Sequence, residues 1–289
     1  MSRRVRKAVL PVAGLGTRVL PGAKTTPKNL LNVVDRPILS YVVEEARAAG
    51  IEHFVFIVGR GQGAIEDYFD ANPEIEAILE AKGKLDVLAD VRRDLLQPGQ
   101  MSFIRQMAPL GLGHAVWCAR DVIGDEPFAV MLPDMLMMAG RSALAQCVDA
   151  YEQKGGNIIA VEPAPEGEAH KYGIVALEGQ DGRLNRMTGM VEKPAPGAEP
   201  SNLFISGRYI LQPEIFEILE TQARGAGGEI QLTDGMAGLM KAQEFHALEY
   251  EGTTYDCGDK LGLLRANVAF ALTRPDLADA ARKAILELL

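Results

Sequence analysis

Short apolar runs alternate with stretches of helical periodicity through the first half of the chain. Residues 7–13 (KAVLPVA), 53–59 (HFVFIVG), 101–106 (MSFIRQ), 127–134 (PFAVMLPD) and 157–164 (NIIAVEPA) are brief and largely apolar. They lack strict alternation, which predicts strands covered on both faces. Between them, apolar positions recur at helical spacing over 36–50, 63–70, 73–96, 112–123 and 143–155, which predicts helices. Pro37 suits the first turn of the first helix, and Gly50 stops it. Strand–helix alternation over the first 160 residues implies βαβ units, right-handed crossovers and a parallel sheet. From 165 to 212 the pattern changes. GIVALEG, LNRMTGMVEK and LFISGRYIL are strand-like pieces joined by turns, which predicts a smaller, antiparallel region. Helical spacing returns at 213–223, 230–243 and 260–288. No repeat, low-complexity tract or sharp boundary interrupts the chain, so one α/β domain over 1–289 is expected.

The 289 residues suffice for a large core, and the 47% hydrophobic and 24% charged content is that of a soluble globular enzyme. The net charge is −9. An acidic total argues against nucleic-acid or anionic-membrane partners, because phosphate surfaces reward basic proteins. The three cysteines form no C-x-x-C pair and are odd in number. A reducing compartment, the cytoplasm, is therefore expected. The basic start at 3–7 and the apolar residues after it are too short a run, broken by Pro11, for a signal peptide. No apolar run approaches the ~20 residues that span a bilayer.

Against this acidic background, residues 14–29 (GLGTRVLPGAKTTPKN) carry Arg18, Lys24 and Lys28 and no acid. The stretch follows the first predicted strand, where open α/β sheets place their ligand crevice. Gly14 and Gly16 allow backbone N–H groups close to a ligand. Arg18 adds a planar fork that matches phosphate oxygens. The dinucleotide fingerprint fails, since Val19 stands where its third glycine belongs, and no P-loop occurs. The loop therefore suits a polyphosphate held partly by side chains, or else it is a solvated loop with incidental charges.

Polyphosphate chemistry calls for a divalent cation, and Mg2+ takes one or two carboxylates plus substrate oxygens. Asp134 ends the fourth predicted strand and projects toward the same crevice. Asp256 lies in YDCGDK, before a glycine and a helix. VEKP places Glu192 and Lys193 side by side at a strand end, on opposite faces if the strand continues. Each has a plainer reading: a turn residue, a helix cap, a solvated ion pair. His53, His114, His170 and His246 show no metal spacing and read as structural or surface residues. There is no G-x-S-x-G.

Together these motifs resemble the sugar-phosphate nucleotidyltransferases, and their uridylyltransferase branch in particular. PVAGLGTRVLP, TPKNLL, VVDRPILSYVVEEA, AIEDYFD, RQMAPLGLGHAVWCARDVIGDEPFAVMLPD, KYGIV, VEKP, GRYIL, GEIQLTD and YDCGDKLG follow the family's order from residue 7 to about 265. The resemblance implies a Rossmann-like nucleotide-diphospho-sugar transferase fold with a mixed, mostly parallel sheet flanked by helices. The nucleotide half would be roughly 1–160 and the sugar-phosphate half roughly 161–289. It implies transfer of a uridylyl group from UTP to glucose 1-phosphate with Mg2+, and a homodimer or homotetramer. Ala13, Gly14 and Gly16 would lie against the nucleotide. Arg18 would clamp the β- and γ-phosphates and Lys28 the α-phosphate. Gln106 and Gly111 would read the uracil edge. Tyr172, Gly173 and Glu192 would hold glucose hydroxyls and Lys193 the sugar phosphate, while Asp134 and Asp256 would ligate the metal.

The chain departs from the family pattern at Asn29, where an acid is usual, and at Met135, where a second Asp is usual. It departs also at Asn32, Gln62, Gly63 and Met107. Three alternatives stay open on the residues alone: the same chemistry with dTTP, the same chemistry with another sugar 1-phosphate, or a weakly active or non-catalytic regulatory paralogue that binds nucleotide sugar.

Overall fold

The apolar runs become strands because helices cover both faces of the sheet they form. The computed structural model describes residues 3–288. β1 (Lys7–Pro11) leads through the irregular basic loop to a small hairpin, β2 (Asn32–Val33) and β3 (Arg36–Pro37), and then α1 (Ile38–Ala48). β4 (His53–Val58), α2 (Gly63–Phe69), α3 (Pro73–Ala81), α4 (Leu85–Arg93) and β5 (Met101–Arg105) follow. Next come α5 (Leu112–Trp117), α6 (Arg120–Ile123), β6 (Phe128–Met131), β7 (Met135–Met138), α7 (Ala143–Lys154) and β8 (Asn157–Pro163). The second half adds β9 (Gly173–Leu177), β10 (Leu184–Glu192), β11 (Leu203–Leu211), α8 (Ile215–Thr221) and α9 (Leu232–Leu239). It ends with β12 (Phe245–Glu249), β13 (Thr253–Asp256), α10 (Lys260–Thr273) and α11 (Ala278–Leu288).

Nine strands form one sheet in the order β5-β4-β1-β6-β11-β8-β12-β10-β9. β5, β4, β1 and β6 run parallel, as the βαβ pattern predicts. β8 does not join them directly. The antiparallel strand β11 lies between β6 and β8, so the fifth predicted strand is one place removed from the parallel block. The strands of 165–212 are antiparallel, as expected.

The two-sided burial is explicit in the side chains. Ala8 and Leu10 of β1 and Phe54 and Phe56 of β4 enter one core, while Val9, Val55 and Ile57 enter the other. Phe56 stacks on Phe103 and Phe69, with ring centroids 5.0 and 5.2 Å apart. The first core is closed by α1 and α7, the second by α5, α8 and α9.

Some predicted elements are divided. The helix expected over 73–96 breaks into α3 and α4 at Gly83, which takes a positive φ of 67°. That over 112–123 breaks into α5 and α6, and that over 260–288 into α10 and α11 around Pro275, which cannot donate to a continuing helix. Pro37 stands one residue before α1, not inside its first turn. Among the described residues no helix is long and apolar enough to cross a membrane.

Candidate active site

The carboxyl edge of the parallel block gathers most of the predicted residues. Val12 N–H donates to Ile57 O at 3.0 Å, after which the chain leaves β1 and turns through the glycine loop. Gly16 has φ 64°, and a Cβ there would lie 2.9 Å from the Cβ of Lys28, so a side chain is excluded twice over. Gly14 packs on the Lys28 stem, with room for no more than an ordinary contact. The loop thereby holds Lys28 against Asp134, at 2.5 Å between Nζ and Oδ2. Arg18 reaches Asp256, at 3.3 Å between Nη1 and Oδ2. Lys24 is exposed and joins neither pair.

Asp134 and Asp256 are far apart in sequence and neighbours in space because β7 pairs with β13. The register sets Asp256 opposite Met135, and Cys257 N–H donates to the Asp134 carbonyl at 2.7 Å. A Cβ on Gly258 would overlap Arg18 Nη2 and lie 2.7 Å from Asp256 Oδ1 and 3.0 Å from Asp134 Oδ2. The three charged groups therefore surround one small volume that only glycine leaves open. Asp256 also accepts from Gly258 N–H at 2.7 Å, while Asp259, not Asp256, caps α10.

Burial pushes the Asp134 carboxyl up, but the charge and hydrogen bond of Lys28 outweigh it, with help from Arg18, and hold it below its ordinary value. Burial and then the charge of Asp134 push Asp256 above its ordinary value. Two carboxylates that repel each other across a small polar volume are hard oxygen donors suited to a divalent cation, which relieves that repulsion. Among the described residues no cluster of three acidic, histidine or cysteine side chains forms a metal centre. The pair therefore fits an ion that also takes substrate and water oxygens.

Beneath the pair lies a side chain whose role the sequence reading left unassigned. Arg208 of β11 is wholly buried and uses all five of its N–H groups. Two go to Glu45 of α1, at 3.0 and 2.7 Å. The others go to the carbonyls of Leu132, Gly207 and Met135, at 3.1, 3.1 and 2.8 Å. Leu132 and Met135 flank Asp134, so the guanidinium grips the loop that presents it.

A second group lies toward the antiparallel half. Glu192 Oε2 accepts from Thr233 Oγ1 at 2.8 Å, and a Cβ on Gly173 would come within 3.1 Å of the same oxygen. Tyr172 stacks on Phe204, centroids 4.4 Å apart. The Tyr209 phenol is pushed up by burial, then by the charge of Glu192, with Arg208 opposing and Asp134 adding to the shift. Lys193 differs from the expectation of a continuing strand. It follows the end of β10 with a left-handed φ of 46°, stays more than half exposed, and lies 3.5 Å from Glu192. Among the described residues its ion pair is with Glu192 and not with Asp134, whose partner is Lys28.

Gln106 follows β5, with its N–H on Val58 O at 2.9 Å and its side-chain Nε2 on Gly111 O at 3.1 Å. Ala13 backs against Gly59, where a Cβ would meet its carbonyl at 3.2 Å. Two of the departures, Gln62 and Asn29, have clear local roles. Gln62 bridges the two loops, accepting from Gly59 N–H at 2.6 Å and donating to Val12 O at 2.9 Å. Asn29 is fully buried and donates to Val12 O at 3.2 Å.

The sequence profile of nucleotidyl transferases matches residues 7–271. A UTP–glucose-1-phosphate uridylyltransferase of Bacillus subtilis is 48% identical over 277 residues, 96% of this chain and 94% of that one. A UTP-bound UGPase from Acinetobacter baumannii superposes with a TM-score of 0.91 at 42% identity, covering 99% of this chain and all of that one. A UDP-glucose pyrophosphorylase complexed with UDP-glucose does so with a TM-score of 0.84 at 37% identity, over 93% of this chain and all of that one. With the profile and these relatives extending over nearly its whole length, the chain belongs to the nucleotidyl transferase family.

Proposed function

We propose that this enzyme transfers the uridylyl group of UTP to glucose 1-phosphate, giving UDP-glucose and pyrophosphate. The observation that carries the reading is the pairing of Lys28 with Asp134 and of Arg18 with Asp256 at one crevice of a nucleotidyl transferase. A sugar-phosphate oxygen forms a bond to the α-phosphorus in line with the bond that breaks, and pyrophosphate leaves with that bonding pair. The nucleophile is already ionised near neutral pH, so the step needs no general base. Its barrier is the mutual repulsion of two anions, and fixed positive charge lowers that barrier.

The residues divide the work by position. Lys28 neutralises the α-phosphate and Arg18 the departing β- and γ-phosphates. Ala13, Gly14 and Gly16 let the nucleotide approach the backbone, and Gln106 and Gly111 meet the base. Glu192, fixed by Thr233, takes glucose hydroxyls beside Tyr172 and Gly173, and Lys193 swings from the rim to the sugar phosphate. Asp134 and Asp256 would hold Mg2+, which supplies Lewis-acid screening of the phosphate oxygens. The odd number of cysteines and the lack of a C-x-x-C pair support the cytoplasm, and the family resemblance supports a homodimer or homotetramer, to be checked by sedimentation.

Pyrophosphate release from UTP, dTTP, CTP, ATP and GTP with glucose 1-phosphate and Mg2+ tests the reading. UTP gives the highest kcat/KM. A rank for UTP among the worst would overturn it.

A further inference from the structure

Gln106 Nε2 lies 3.1 Å from Gly111 O and 3.0 Å from His114 Nδ1. A carbonyl only accepts, so the amide atom facing Gly111 is the donor nitrogen and not Oε1. That nitrogen carries two hydrogens. One goes to Gly111 O and the other to His114 Nδ1, which must then be the unprotonated nitrogen of the ring. The ring required by this geometry is neutral, and burial, which holds the His114 pKa below its ordinary value, acts in the same direction. Cys118 Sγ lies 3.9 Å from the same nitrogen and is kept a thiol, a weak donor, by a pKa that burial raises. Both neighbours thus treat Nδ1 as an acceptor. The Gly111 carbonyl is itself held, accepting Ala115 N–H at 3.1 Å, at a position where φ is 109° and a Cβ would lie 2.7 Å from Ile230 O, so only glycine fits. The one polar atom of the amide with no protein partner among the described residues is Oε1.

We infer that His114 is a positioning residue for base selection: with Gly111 it locks the Gln106 amide so that only an acceptor faces the ligand. That acceptor takes the N3–H of uracil or thymine and opposes the lone pair at N3 of cytosine. The inference rests on the proposed meeting of Gln106 with the base, and it adds a histidine whose sequence context suggests only a structural role. Without the His114 acceptor the amide is free to turn its NH2 toward a cytosine.

The test compares UTP with CTP in kcat/KM, and UDP with CDP in binding by calorimetry, for the natural enzyme and for H114L, H114N and Q106L. In H114L the preference for uridine falls on the order of tenfold or more, the worth of about one buried hydrogen bond of fixed polarity. H114N keeps the preference, because its Oδ1 accepts where Nδ1 did. Q106L loses it. An H114L enzyme as selective as the natural one, with Q106L unselective, overturns the lock and leaves base reading by Gln106 intact. H114N as permissive as H114L overturns the acceptor argument. A Q106L enzyme that still prefers uridine overturns both the lock and the reading beneath it.

Discussion

Replacing Arg208 with methionine removes a buried cation of similar length and leaves its partner behind. Glu45 is 9% exposed, and both of its carboxylate oxygens receive guanidinium N–H groups. In the variant it keeps only the Leu144 N–H, at 3.0 Å. Two of the three carbonyls held by Arg208 have backbone partners of their own: Leu132 O takes Met135 N–H and Gly207 O takes Leu132 N–H. The main cost is therefore the stranded carboxylate. Breaking one side of a buried pair costs about 3–5 kcal/mol, and equilibrium urea unfolding reads it as a lower midpoint at unchanged slope. The double variant E45M/R208M removes the stranded charge and recovers much of the loss. Under conditions where R208M remains folded, its turnover falls further than that of the same change at an exposed arginine, because Asp134 hangs between two carbonyls the guanidinium grips. Stability within about 1 kcal/mol of the natural protein would refute the reasoning.

Asp256→Asn should lower turnover by roughly 10²–10³, the range for one lost electrostatic contact in a preorganised site, with the fold intact by circular dichroism. The folded-state pKa of Asp256 is raised, so its ionised form opposes folding. That opposition is absent below the unfolded value of about 4, grows as pH rises toward the folded value and is constant above it. The stability of D256N relative to the natural protein accordingly rises over that window in urea titrations, and a flat difference would contradict the assignment. Lys193→Ala should raise the KM for glucose 1-phosphate more than that for UTP in steady-state assays; the opposite order would remove Lys193 from the sugar phosphate. Asn29→Asp loses the donor to Val12 O and buries a carboxyl in its place, so it should destabilise by about 1–3 kcal/mol in urea; an unchanged midpoint would show that the carboxyl finds another donor.

The parallel block was legible because its strands are apolar on both faces, as Ala8, Val9 and Leu10 illustrate. The insertion of β11 between β6 and β8 was not, because strand order in the sheet leaves no mark on periodicity. β7 and β13 escaped for a related reason. Each is four residues long, and what matters is their mutual register, which carries Asp256 to Asp134. The basic loop could be read as a phosphate site from charge and glycine alone. Its acidic partners could be suspected singly, and their convergence around Gly258 required the fold. Arg208 and His114 lay within quoted motifs, yet nothing in their neighbours predicts five satisfied donors or a locked amide. Lys193 was placed on a strand that in fact ends one residue earlier, and its left-handed φ turns it to the rim.

The most direct measurement is a crystal structure with UDP-glucose and Mg2+ bound. The account predicts the diphosphate between Lys28, Arg18 and Lys193, the metal on Asp134 and Asp256, and the uracil at Gln106. A structure with those three cations turned to bulk water and the nucleotide sugar lodged elsewhere would contradict it.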